Sequence, residues 1–298
     1  MGNGLAAYGG RAPGYGPVTP AAAARPDPVA GRSVLITGAA GGLGTTIATS
    51  LSQRGAALML VDIDAAGLLS LRDRLSCHAL VADVSDAEDR RRIVVHCERV
   101  GHDPDVLVNN AAVEKASEYT DLEPAEIRHA LEVNLLGAML LTRDLLPQMR
   151  ERRRGHVVNV ASMAGIKTVP YNAVYNTAKA GLVAFSLSLS KELAGSGVAA
   201  TVLCPSAVTR VGMWARASDR LTPNRLVESS AITPEHVAAA VVRALAERPP
   251  RILVASAPVR LGALLSALSP RVDALTDRLS HIRSVYRERI STDRDNRL

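Results

Sequence analysis

A tyrosine and a lysine stand four residues apart in the stretch YNTAK, Tyr175 to Lys179. In a helix both side chains leave the same face about one turn apart. An ammonium beside a phenol stabilises the phenolate and lowers a pKa that is otherwise about 10. Such a phenol takes a proton from an alcohol or returns one to a carbonyl. The chain is poor in aromatic residues, with one Phe and one Trp, so a Tyr at this spacing asks for a chemical reason. Taken singly, a helical Tyr packs and a helical Lys is solvated; the surrounding pattern decides between the readings.

A second chemical stretch is TGAAGGLG, Thr37 to Gly44. Gly38, Gly42 and Gly44 have the spacing GxxxGxG, with Gly41 and Leu43 between them. Glycines there let the backbone turn sharply and approach a pyrophosphate resting on the free amides of the next helix. A plain turn is the other reading. Asp62 closes the following apolar run eighteen residues after Gly44, next to Ile63. Its carboxylate suits the two hydroxyls of an adenosine ribose and repels a 2′-phosphate, which favours NAD over NADP. Asp83 and the backbone of Val84 suit an adenine amino group. In NNAA, Asn109 to Ala112, the small Ala111 and Ala112 admit a ribose beside Asn110, and Asn109 is expected to tie down loop backbone.

These residues need a scaffold, and the chain alternates two textures. The apolar runs SVLIT, ALMLVD, CHALVAD, PDVLVNN, GHVVNVAS, GVAATVLCP and RILVAS read as seven strands. Helical periodicity fills the gaps, including one long helix over about Pro124 to Arg150. Strands apolar on both faces belong in a parallel sheet covered on both sides. The expected class is α/β: a doubly wound, mostly parallel seven-stranded sheet in a single domain over residues 31–257. A Gly/Ala/Pro-rich leader (1–30) precedes it, and an amphipathic helical extension (258–298) follows.

TGxxxGxG, NNAA, Ser162 thirteen residues before Tyr175, and Asn134 on the preceding helix together resemble the short-chain dehydrogenase/reductase family over about Ser33 to Ser256. The resemblance implies a Rossmann fold and NAD(P)-linked interconversion of alcohols and ketones. By position it implies that Tyr175 is the acid/base, Lys179 its activator and a ribose ligand, Ser162 the substrate anchor, and Asn134 the holder of a water in a proton path. Pro205, Val208 and Thr209 fall where the family contacts nicotinamide. The pattern departs there: Ser206 replaces a Gly, Thr209 comes one position early, and Arg210 takes the usual Thr slot. The resemblance places a substrate lid at about 211–232. Met213 and Trp214 there, with Tyr171, Ser117 and Tyr119, would line a pocket for a hydrophobic alcohol or ketone. It also implies a homodimer or homotetramer.

Composition narrows the rest. A net charge of +6 comes from 35 Lys and Arg against 29 Asp and Glu, a mild excess without a nucleic-acid motif. The basic run Arg150 to Arg154 falls at a helix end, where cations suit the dipole. Cys77, Cys97 and Cys204 have neither disulfide nor metal spacing, so no metal is expected. No apolar run reaches transmembrane length and no signal-peptide pattern opens the chain, which reads as cytoplasmic. The tail packs on its own domain, on a partner subunit, or peripherally on an anionic membrane. A hydrolase is disfavoured by the lack of GxSxG. A nucleotide sensor without turnover, or an NADP-dependent biosynthetic ketoreductase, are the competing functions.

Overall fold

A computed structural model describes residues 27–218 and 231–295. The first half alternates β1 (Ser33–Thr37), α1 (Gly42–Gln53), β2 (Ala57–Asp62), α2 (Ala65–Leu75), β3 (His78–Val81), α3 (Ala87–Arg99) and β4 (Val106–Asn109). Next come α4 (Pro124–Leu131), α5 (Gly137–Glu151), β5 (Gly155–Val160), α6 (Ala173–Glu192), β6 (Val198–Pro205) and α7 (Gly212–Ser218). The chain then forms α8 (Pro234–Glu247), β7 (Arg251–Val254), α9 (Ala257–Leu268), α10 (Pro270–Ser280) and α11 (Ile282–Asp295). The strands form one sheet in the order β3-β2-β1-β4-β5-β6-β7, and every pairing is parallel. The order reverses between β1 and β4, the place where such sheets open a crevice at their carboxyl ends.

Two-faced burial explains why the strands are apolar throughout. Val34 and Ile36 of β1 join Ile47 and Leu51 of α1 and Val241 of α8 on one face. Leu35 between them joins Leu141 and Leu145 of α5 and Leu189 of α6 on the other. The same alternation divides Val158 from Val157 on β5.

The long helix expected over Pro124 to Arg150 is broken. A π-helical turn, Glu132–Leu136, separates α4 from α5. Its cause is Asn134, whose Nδ2 donates to the Ala130 carbonyl at 2.8 Å and so occupies the acceptor one turn back. The leader through residue 26 and residues 219–230 of the expected lid lie outside the described residues. Among the described residues no helix is long and apolar enough to cross a membrane.

His156 on β5 is fully buried. Thr201 Oγ1 donates to the Pro249 carbonyl at 2.6 Å, so it accepts from His156 Nε2 at 2.9 Å. Nδ1 is left buried with no hydrogen-bond partner. Burial, with Arg248 and Arg32 nearby, depresses the imidazole pKa to about 3. The folded protein therefore binds fewer protons than the unfolded chain between that value and the ordinary 6.5. Stability present above that window is lost as pH falls through it, at roughly 1.4 kcal/mol per pH unit for one proton. Urea unfolding at a series of pH values should show wild type losing this stability relative to His156→Gln; parallel curves would refute the assignment.

Candidate active site

Residues following β1, β2, β3, β4, β5 and β6 surround one cavity of about 1090 Å³. That volume is at the upper limit of single-ligand pockets, room for two ligands side by side. The glycine loop, Asp62, Ile63, Asp83 and Val84 line one end. Ser162, Tyr175, Lys179, Met213 and Trp214 line the other, with Pro205 and Val208 between.

The tyrosine end is built from α6 and the turn after β5. Ser162 caps a 3₁₀ turn, Met163–Gly165, accepting from the Ala164 amide at 3.1 Å. Gly165 lets this turn press against α6: a methyl there would lie 2.7 Å from the Lys179 carbonyl. The approach sets the Ser162 side chain beside Tyr175 at the same end of the cavity. Lys179 is 1% exposed, donates from Nζ to the Val160 carbonyl at 3.1 Å, and sits 5.6 Å from the Tyr175 ring centre. Asn134 joins from the π turn, exchanging hydrogen bonds of 3.2 and 2.8 Å with the backbone of Val113 beyond β4.

The expected lowering of the Tyr175 pKa is not found in the protein alone. Lost hydration pushes the phenol well above its ordinary value, the Glu114 carboxylate adds to the rise, and the neighbouring Ser162 hydroxyl opposes it. Burial likewise lowers Lys179 to about 8, against the opposing pull of Glu114 and Cys204. Desolvation penalises the charged form of both groups, and at this separation it outweighs their mutual help. Tyr175 thus rests as a neutral phenol.

The other end fits a dinucleotide. Helix α1 starts beside Gly41 with no side chain capping its first-turn amides and no acidic residue there, an arrangement that receives an anion. The loop tolerates no added bulk: a methyl on Gly44 would lie 2.0 Å from the Gly38 carbonyl oxygen. Gly38, at φ 64°, would bring its methyl to 2.7 Å from Ala111 Cα. Asn110 Nδ2 clamps the loop through the Thr37 and Gly38 carbonyls at 3.1 and 2.9 Å. Thr37 Oγ1 accepts from the amides of Asn110 and Ala111 and faces them, not the cavity. Asp62 receives the Ala40 amide at 2.8 Å and the Asp64 amide at 3.0 Å, so it fixes the loop from the cavity's edge. Asp83 accepts from both the amide and the hydroxyl of Ser85.

Several expectations are corrected. Asn109 does not hold the loop; it is buried and donates to Thr142 and Asn159, and Asn110 does the tying. Thr209 is absent from the cavity lining, because the Val208–Ile232 bridge turns its hydroxyl onto the Ile232 carbonyl at 3.2 Å. Arg210 in the next position pairs with Glu235. Tyr171, with a left-handed φ of 59°, points its hydroxyl at Arg283 and Arg287 instead of the cavity. Ser117 and Tyr119 line no part of it, and Tyr119 is exposed.

Sequence reasoning also missed what covers the substrate end. Lys167 Nζ reaches Asp273, Thr276 and Asp277 on α10 at 3.0, 2.6 and 2.7 Å. Tyr286 and Ile290 of α11 pack with Ala116, Val169 and Trp214. Thr276, Asp277, Ile282 and Tyr286 therefore line the cavity, as does Glu114. Only the amphipathic spacing of the tail hinted at an inward face; nothing local pairs residues so distant.

The sequence model of the short chain dehydrogenase family matches residues 32–221. The chain belongs to this family. A ketoacyl reductase, HetN, from Nostoc sp. is 36% identical over 239 residues, 77% of this chain and 80% of its own. The human 17-beta-hydroxysteroid dehydrogenase 13 is 34% identical over 203 residues, covering 65% of this chain and 67% of that one. Among solved structures, a 3-ketoacyl-(acyl-carrier-protein) reductase from Brucella melitensis complexed with NADH superposes with a TM-score of 0.68 at 26% identity, over 77% of this chain and 98% of that one. An actinorhodin polyketide ketoreductase with NADPH gives 0.69 at 26% identity, over 75% and 95%. The short-chain dehydrogenase described here is thus an NAD(P)-dependent oxidoreductase with a Rossmann fold.

Proposed function

We propose that the enzyme interconverts a hydrophobic secondary alcohol and its ketone, with NAD as the preferred cofactor. The observation that carries this reading is the gathering of Ser162, Tyr175 and buried Lys179 in one cavity with the glycine loop, the Lys179 ammonium 5.6 Å from the Tyr175 ring centre. Bound NAD(P) supplies the hydride acceptor or donor. Ser162 holds the substrate oxygen, and Tyr175 exchanges its proton: a neutral phenol donates to a ketone, a phenolate accepts from an alcohol. Lys179 and Asn134 position the pair, with Asn134 holding the Val113 loop and a water for proton exchange. Apolar Met213, Trp214, Ile282 and Tyr286 favour an apolar substrate. A ketoacyl group and a hydroxysteroid, named in two relatives, both carry an oxygen on a hydrocarbon frame.

The cofactor preference rests on charge. Asp62 stands at the adenosine end, and the Lys residues lining the cavity, Lys167 and Lys179, both lie at the other. Among the described residues lining that end, no cation would compensate the carboxylate that a 2′-phosphate meets there. The second reading is an NADP-dependent biosynthetic ketoreductase, favoured by the ketoacyl reductase relative and by a structural neighbour with NADPH.

Two measurements test these assignments. With a panel of secondary alcohols and NAD⁺, Tyr175→Phe should reduce turnover by about 10³-fold, within the span of general acid–base effects, while NADH still binds. A variant turning over like wild type would exclude the role of Tyr175. Side-by-side titration of NADH and NADPH should give tighter NADH binding that Asp62→Ala abolishes; tighter NADPH binding by wild type would establish the second reading.

A further inference from the structure

Glu114 and Arg289 are 175 positions apart and meet inside the protein, their side chains 8% and 7% exposed. The contact is bidentate: Arg289 Nη2 donates to Oε2 at 2.9 Å and Nη1 to Oε1 at 3.2 Å. Asn172 Nδ2 donates to the same Oε1. The guanidinium stands 5.6 Å from the Tyr286 ring centre. Glu114 lies on the cavity wall between the NNAA stretch and the substrate end.

A buried ion pair is a poor fastener. Desolvating two charges offsets most of their attraction, and a well-packed apolar pair of similar size holds a helix at least as well. The pair's location gives it another use. Among the described residues, the groups acting on Tyr175 are Lys179 on its own helix, Ser162 after β5, Glu114 after β4, and Tyr286 and Arg289 from α11. Glu114 is the anion among them and opposes formation of a phenolate; Arg289 favours it. A carboxylate left alone there would hold the phenol protonated and block its use as a base.

We propose that Arg289 is a positioning residue for proton transfer: delivered by the C-terminal helix, it pairs Glu114, offsets part of that carboxylate's field at Tyr175, and so ties closure of the substrate end to a usable acid/base. The inference rests on the proton-exchange reading of Tyr175. The C-terminal helices are then part of the reaction, and a chain with the tail displaced binds cofactor yet oxidises alcohols poorly at neutral pH.

The test is the pH dependence of 2-octanol oxidation by the full chain with NAD⁺. Arg289→Met should move the rising limb upward by about one pH unit, a tenfold loss at fixed pH, and Glu114→Gln in the same chain should restore it. Glu114→Gln alone should move the limb downward, and Arg289→Lys should keep most of the wild-type profile. Trp214, the chain's single Trp, packs 6.2 Å from Tyr286, so its emission reports whether the helix stays docked. Limbs that stay in place in both single variants overturn the proposal. So does a shift that follows Trp214 emission and is not restored by Glu114→Gln. If wild type oxidises no alcohol, the parent reading fails separately. Tyrosinate absorbance, taken as the difference between each variant and its Tyr175→Phe counterpart, still reads the phenol, and an unshifted phenol in Glu114→Gln and Arg289→Met overturns the role of the pair.

Discussion

A buried ammonium under a half-buried phenol is the constraint around which this protein is arranged. Holding Lys179 charged with 1% exposure and a pKa of about 8 costs on the order of 3 kcal/mol at neutral pH relative to water. The surrounding parts limit that cost. Val160 at the end of β5 offers its carbonyl, and Gly165 lets the Ser162 turn lie directly on α6. The π turn at Asn134 gives up helical regularity to fasten the loop that carries Glu114. These local departures cluster at one end of the cavity, while the sheet behind them is regular in every pairing.

The scaffold was legible because its signals are local and redundant. Seven apolar runs, each buried on two faces, leave few arrangements other than a covered parallel sheet, and the glycine loop lies in register between β1 and α1. Ser162, Tyr175 and Lys179 were legible as a joint pattern and do meet in space. What failed depended on distance or on direction. Thr209 and Tyr171 were assigned from their position along the chain, but a bridge and a left-handed residue turned their side chains elsewhere. Asn109 and Asn110 alternate across the end of β4, so a one-residue misjudgement exchanged a core network for a loop clamp. The inward face of the tail could be anticipated from its periodicity, yet its partners could not. Leu261, Leu264, Leu265 and Leu268 have the same helical spacing as an inward face and are exposed.

Electrostatics separates the two ends of the cavity. At the glycine-loop end the charged groups among the described residues are carboxylates already engaged with backbone amides, and the free first-turn amides of α1 provide the positive field. At the tyrosine end each cation has a defined partner: Lys179 a carbonyl, Lys167 two carboxylates of α10, and Arg289 the carboxylate of Glu114. Two of those three links run to the C-terminal helices. The tail therefore lines the site and brings charged groups to it.

If Tyr175 is a protonated phenol at rest whose acidity is set by what binds beside it, its titration must respond to NAD⁺. Tyrosine labelled with ¹³C at Cζ, titrated by NMR and assigned against Tyr175→Phe, reads that state directly. Without NAD⁺ the Tyr175 signal should titrate above the ordinary phenol range. With NAD⁺ bound, the added positive charge should bring its midpoint down by at least about one unit. A Tyr175 signal that titrates like a free phenol, or that ignores NAD⁺, would contradict the account.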